Sequence, residues 1–321
     1  MLLTNEKYQE ICETEDSIPI FSKYWWLEAT AGIKNCSVIA VIKNEKIEAF
    51  LPFYIKKNKY LISLAQPLLT QKLGPWFKTK RMRNASEIEK QNNLMFNLLN
   101  ELPLHDRYNQ NWDHSITNWL PFYWNDFSQN TKYTYIINDI SNIEMVFTNF
   151  DRSKKKNIKR AKEKLKVIND LDKADFYNNH KYNLNQAGIK ISYSREYFYS
   201  IFDAATRNNS GKIFAAIDQN GKIHSANFII WDSNSAYNLI STIDKDFRNS
   251  GSTSLVIYEA IKYLSNKTKS FDFEGSMIRG VEYSFRRFGA IQTPYFNIQR
   301  NSTKKARIIF SAYNFCKSLI S

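Results

Sequence analysis

Two stretches of the chain combine charged residues and glycine in an order that could do chemistry. The first runs Asp244–Lys–Asp–Phe–Arg248–Asn–Ser250–Gly251–Ser252–Thr253, between a strand-like run (Ala236 to Ile243) and a helical run with apolar Leu255, Ala260, Ile261 and Leu264. Unpaired N–H groups at a helix start, helped by its dipole, suit an anionic phosphate. Gly251 permits close backbone approach and Arg248 adds a charged fork. Arg248, Ser250, Gly251, Ser252 and Thr253 are therefore the candidate cofactor-binding residues. The plainer reading is a helix capped by Ser252 or Thr253, which needs no ligand.

The second stretch is Phe271–Asp272–Phe273–Glu274–Gly275–Ser276, followed by Gly280–Val–Glu282–Tyr283–Ser–Phe285–Arg286–Arg287–Phe288–Gly289. Strand alternation puts Phe271 and Phe273 on a core face and Asp272 and Glu274 on the other, with Gly275 ending the strand. A carboxylate at a strand end can accept a proton from an amine, and a cation can balance charge building on a carbonyl oxygen. Glu274 and Arg286 are the candidate catalytic pair, expected to face one reaction centre, with Asp272, Glu282 and Tyr283 as candidate substrate contacts. The competing reading makes Asp272 a fastener paired with a neighbouring arginine, and Glu274–Arg286 an ordinary ion pair. No Ser-His-Asp or Cys-His arrangement is evident, which favours direct transfer over a covalent enzyme intermediate. Cys12, Cys36 and Cys316 lie far apart and the four histidines form no cluster, so no metal site is expected.

Local patterning supplies the elements that must hold these groups. In the first half a helix is expected over 21–30, a meander over 37–43, 47–55 and 60–65, a helix over 85–102 and a strand over 133–137. A composition shift follows: 151–166 reads as a basic helix, with further helices near 172–186 and 195–208. Runs 212–217 and 222–231 form a hairpin around Asn220–Gly221, with a third strand at 236–243 and a helix over 252–265. Strand 270–273, helix 278–288 and strand 291–299 close the region. The tail 306–320 is amphipathic, and packing on the protein body is its plainer role.

The 321-residue chain has room for two domains, and its 15% aromatic content argues against disorder. It shows neither a membrane-span-length apolar run nor the pattern of a signal peptide, so a cytoplasmic location is expected. A net charge of +14 points to anionic partners, either nucleic acid, an acidic membrane surface or a phosphate-bearing cofactor.

Arg248-x-x-Gly251-x-Thr253 resembles the pyrophosphate loop of GNAT acyltransferases, Q/R-x-x-G-x-G/A. The order of the basic helix 151–166, the hairpin, that loop and "FDFEGS…GVEYSFRRFGA" is similar to the second domain of FemAB-type peptidyltransferases. It is also similar to related GNAT-like proteins of envelope and exopolysaccharide gene sets. "EAFLPFYI" (48–55), "LGPWF" (73–77) and "TKYTYIIND" (131–139) look like the companion domain, so the resemblance spans most of 20–299. It implies an α+β fold of two tandem GNAT-like domains, each a mixed, mostly antiparallel sheet flanked by helices. These would be residues 1–148, 149–300 with the site, and 301–321 as the terminal helix.

The activity implied is N-acyl transfer from acyl-CoA, as co-substrate and not as a tightly bound cofactor, to an amine of a sugar, amino acid or lipid head group. Envelope or polysaccharide biosynthesis would be its setting, with peripheral contact to an anionic inner-membrane face and no DNA partner expected. Two alternatives stand: transfer from aminoacyl-tRNA to a peptidoglycan-type acceptor, with the basic helix on the phosphodiester backbone, or a degenerate pair that binds RNA or another anion. Two departures bear on these. The family's F-K-x-x-F-G appears as Phe285–Arg286–Arg287–Phe288–Gly289, one residue shorter and with Arg for Lys, and no long heptad arm is present.

Overall fold

The computed structural model describes residues 1–79, 82–275 and 277–318, so Ser276 of the second motif and Leu319 and Ile320 of the tail stripe lie outside the described residues. In chain order the elements are α1 (Asn5–Thr14), α2 (Tyr24–Ala31), β1 (Cys36–Lys43), β2 (Lys46–Lys57), β3 (Ile62–Ala65) and β4 (Trp76–Phe77). Next come α3 (Ala85–Asn100), β5 (Arg107–Asn111), α4 (Leu120–Tyr123), β6 (Ser128–Ile137), α5 (Ile143–Asn149) and α6 (Arg152–Lys162). β7 (Lys166–Ile168), α7 (Lys173–Gln186), α8 (Arg195–Arg207), β8 (Gly211–Ile217), β9 (Ile223–Trp231) and β10 (Ser235–Ile243) follow. The chain ends with α9 (Ser252–Leu264), β11 (Ser270–Asp272), α10 (Arg279–Arg286), β12 (Ile291–Asn301) and α11 (Lys304–Ser318).

Two compact units emerge: Met1–Lys132 with Pro294–Ser321, and Tyr133–Thr293. The division expected at 148/149 falls inside the second unit, because the last residues of β6 already pair there, Ile137 with Phe271. Residues 294–300, expected in the second domain, return to the first, where Asn297 to Asn301 pair with β5. Composition could not reveal either crossing, since both occur in the middle of a strand.

In the first unit β1 and β2 form a hairpin from Cys36↔Tyr54 to Lys43↔Lys46, turned by Asn44 and Glu45 at positive φ. β3 pairs antiparallel with β2 and parallel with β5. Phe53, Leu64, Met95, Trp112 and Ile298 meet in its core. Helix α1, which the sequence reading does not anticipate, is capped by the Thr4 hydroxyl and buries Tyr8, Ile11 and Cys12. In α11, Ala306 is buried while Ile308 and Phe315 stay exposed. The Arg107 guanidinium lies 3.7 Å from the Phe310 ring of this helix.

The second unit has the strand order β6-β11-β10-β9-β8-β7. Neighbours are antiparallel except β10 and β11, which are parallel and joined by the crossover helix α9. Ile229 and Trp231 of β9 pack with Leu255, Val256 and Ile261 of α9, and Ile158 and Ala161 of α6 join the same core. Phe228, pointing the other way, meets Phe198 of α8. Helices thus cover both faces, the α+β architecture of mixed, mostly antiparallel strands that the sequence leads one to expect. Among the described residues no helix is long and apolar enough to cross a membrane.

Candidate active site in the second unit

The site starts at the carboxyl ends of the two parallel strands, β10 and β11. β10 pairs with β11 only from Ser235↔Ser270 to Tyr237↔Asp272, yet it continues to Ile243. Its register with β9 shifts between Asn238 and Ile240. β10 therefore runs on past the carboxyl end of its parallel neighbour, and the carboxyl ends of parallel strands are where open sheets place ligands.

The loop after β10 is held from several sides. Buried Asp244 accepts the Asp246 amide at 2.9 Å and caps a short turn, Lys245–Phe247. The Phe247 ring stacks on His224 with centroids 3.6 Å apart, and the Lys222 ammonium lies 4.5 Å from the same ring. Gly251, at φ 83°, is the N-cap of α9 and contributes no side-chain bond. The cap expected from Ser252 or Thr253 is therefore not the one formed. Ser252 donates its amide to the Ser250 hydroxyl at 3.2 Å. The hydroxyls of Ser252 and Thr253 have no hydrogen-bond partner among the described residues. The Thr253 and Ser254 amides, in the first turn, have no intrahelical acceptor. Arg248 is exposed just before this turn.

Helix α6 braces the loop, a role no local pattern announces. A Cβ on Gly251 would lie 2.5 Å from the Asn157 carbonyl oxygen, and the Arg160 guanidinium donates to the Asn249 carbonyl. Other cations of α6 make contacts at the surface of the unit: Lys155 donates to the Thr148 carbonyl at 2.6 Å, and Lys162 pairs with Glu259 at 3.0 Å. Lys154 is buried, 2.8 Å from the Ser284 hydroxyl and 4.2 Å from the Phe288 ring. Burial, assisted by nearby Arg287, pushes its ammonium down to about 8.

Around the second motif, β11 ends at Asp272, so alternation does not carry on to Glu274. Asp272 is 1% exposed and accepts from the Thr134 hydroxyl and, at 2.8 Å, from the Glu274 amide. Its carboxylate thus ties β6 to the backbone leaving β11. Glu274 is half-buried at φ 64°, a left-handed conformation that costs an L residue roughly 1–2 kcal/mol. Gly275 follows at φ 57°, so close to β6 that a Cβ would lie 2.7 Å from Thr134 Cα. Strain of this kind concentrates at functional positions.

Phe273 anchors the following helix, with its ring 5.0 Å from Phe285 and 5.2 Å from Phe288. Glu282 lies 3.5 Å from Arg286 Nε and accepts the Tyr135 hydroxyl at 2.8 Å, while Gln292 donates to that hydroxyl at 2.7 Å. Burial, then the bond to Glu282, raises the Tyr135 phenol above its ordinary range. Arg286 is 54% exposed and turned toward Glu282 of its own helix. Tyr283, also exposed, accepts from Arg287. Asp272 is thus joined to the Glu274 backbone, Glu282 to Arg286, and Tyr283 to Arg287. Tyr135 enters this group from 147 residues away, a distance over which the sequence carries no signal.

No family model matches the chain, and no curated protein matches it in sequence. Solved structures do. FemX is similar with a TM-score of 0.65 at 13% identity, covering 92% of this chain and 96% of FemX. The C-terminal domain of a putative lysylphosphatidylglycerol synthetase from Agrobacterium fabrum gives 0.58 at 10% identity, over 97% of both chains. L-PGS from Bacillus licheniformis gives 0.55 at 8% identity, covering 93% of this chain and 92% of that one. The chain therefore has a Fem-type fold, as the order of its motifs implied.

Proposed function

We propose that the protein is an N-acyltransferase that moves an acyl group from acyl-CoA to a primary amine, at the carboxyl ends of β10 and β11. The observation that carries this reading is the start of α9 at the carboxyl end of β10, capped only by Gly251 and braced by α6, with Glu274 following the carboxyl end of the parallel neighbour β11. The free amides and hydroxyls of that turn, with Arg248, would hold the donor's pyrophosphate. Glu274 would take the proton of the attacking amine as nitrogen bonds to the thioester carbon. Collapse of the tetrahedral intermediate then breaks the C–S bond, and the leaving thiolate takes up the proton that Glu274 removed from the amine, giving the free thiol. Arg286, held by Glu282, would offset the oxyanion.

The Fem-type fold supports a transferase as the general class, and one neighbour is named for lysylphosphatidylglycerol synthesis. Among acceptors, a lipid head group in an anionic membrane face fits best. Met277 and Ile278 are each 68% exposed, immediately before Arg279, and Tyr283 and Ile291 are exposed near by. Such a basic surface with apolar tips suits peripheral contact at the cytoplasmic side during envelope biogenesis. Aminoacyl-tRNA is the second donor to test: Lys154, Lys155, Arg160 and Lys162 make contacts within the unit, while Lys156 and Lys159 of the same helix are exposed.

Native mass spectrometry with a panel of acyl-CoAs and a charged tRNA pool identifies the donor. With that donor, Glu274→Gln is expected to lower kcat on the order of 100-fold with donor affinity nearly unchanged. Arg248→Ala is expected to weaken donor binding by about 1–3 kcal/mol. Wild-type transfer by Glu274→Gln would remove the proposed base, and capture of tRNA alone would replace acyl-CoA as donor.

A further inference from the structure

The second unit carries a cavity of about 550 Å³ at the opposite end of α9 from Gly251. Tyr263, on its wall, lies eleven residues beyond Ser252, about 16 Å along the helix at 1.5 Å per residue. The volume falls in the range of small-molecule sites, roughly 300–1,000 Å³. Nothing in the transfer chemistry above uses it.

Three chemistries meet on its walls. Phe202, Trp231 and Tyr263 supply aromatic surface, with the Trp231 and Tyr263 rings 6.3 Å apart and steeply inclined. Lys212 and Lys267 lie 5.7 and 5.0 Å from the Tyr263 ring centre. Lys212 also reaches the Asn169 side-chain oxygen at 3.4 Å. Lys173, the third lysine of the cavity, is neutralised by Asp203, with both contacts under 2.7 Å. Lys212 and Lys267 have no such carboxylate partner among the described residues, so both keep their charge available. The remaining wall includes Asp170, Thr206 and Asn209, all exposed hydrogen-bonding groups.

Carboxylates beside lysines would repel a plain polyanion, but they accept hydrogen bonds from hydroxyls. Aromatic rings take the apolar face of a ring compound, and the two lysines take one anionic group. The geometry points to a binding site for an anionic sugar, a hexose ring carrying one carboxylate or phosphate, separate from the reaction centre. The shared chemistry is a polyhydroxylated ring with one anionic substituent.

Isothermal titration of the full chain with glucuronate, glucose 1-phosphate, glucose and inorganic phosphate tests the site. At least one of the two anionic sugars should bind one saturable site, and whichever binds names the anion. Glucose and phosphate should each bind about tenfold more weakly or worse, because each lacks part of the recognised set. The double variant Lys212→Gln/Lys267→Gln should lower the sugar's affinity roughly tenfold while its urea midpoint stays near wild type. Failure of both anionic sugars to bind would overturn the assignment. So would phosphate binding as tightly as the sugars, or undiminished binding by a folded double variant. None of these readouts involves acyl transfer, so they stand apart from the fate of the proposed reaction.

Discussion

Replacing Gly251 by Ala probes whether α6 truly braces the donor loop. Two costs add. At φ 83° an L side chain is strained, worth about 1–2 kcal/mol. The new Cβ would also sit 2.5 Å from the Asn157 carbonyl oxygen, about 1 Å inside ordinary contact. That oxygen belongs to the backbone of a helix pinned by buried Ile158 and Ala161, so relief requires repacking, typically about 1–3 kcal/mol. The sum is about 2–5 kcal/mol, large but smaller than the stability of most domains. Two other glycines separate the terms. Gly221, at φ 77° with nothing within 4 Å of a Cβ, should show only the backbone cost on Gly221→Ala. Gly280, in α10 with equal space and no positive φ, should gain up to about 1 kcal/mol of helix propensity on Gly280→Ala. Urea unfolding ranks the three, and titration of the folded Gly251→Ala protein should show weakened donor binding. If Gly251→Ala costs no more than Gly221→Ala, the clash is absent and the bracing argument fails.

Two predictions concern pH. His180 sits between the Phe176 and Tyr193 rings, and burial holds its imidazole down to about 4. The unfolded chain takes that proton near 6.5, so the contribution is complete above 6.5 and is lost as pH falls toward 4, up to about 3 kcal/mol. His180→Phe should flatten the fall in urea stability between pH 7 and 5, and an unchanged slope would acquit this residue. For Lys154, held down to about 8, the unfolded chain binds more protons from there up to about 10.4. Wild-type stability should therefore rise across that window relative to Lys154→Met, by up to about 3 kcal/mol, as read from urea midpoints at pH 7.5 and 10. Parallel curves would mean that Lys154 is better solvated than its burial implies.

The features legible in the chain are those whose causes lie within a few residues. Short apolar-rich runs mark β9 and β10, Asn220–Gly221 marks the turn before β9, and Asp172 and Ser194 cap α7 and α8 through neighbouring amides. The glycine-bearing loop before α9 was legible for the same reason, since a helix start and a left-handed glycine are local events. Packing decided the rest. Ser252 cannot cap α9 because the chain arrives through Gly251 pressed on Asn157, and that contact spans 94 positions. Glu274 leaves the strand because Gly275 is pressed against the backbone of Tyr133 and Thr134, which alternation within the strand cannot register. Tyr135 joins Glu282 only because β6 and β11 are neighbours in the sheet. Hydrogen bonds and periodicity act over a turn or a strand and leave their mark on adjacent residues. The burial that joins distant segments depends on which surfaces meet, and that is fixed only when the whole unit closes.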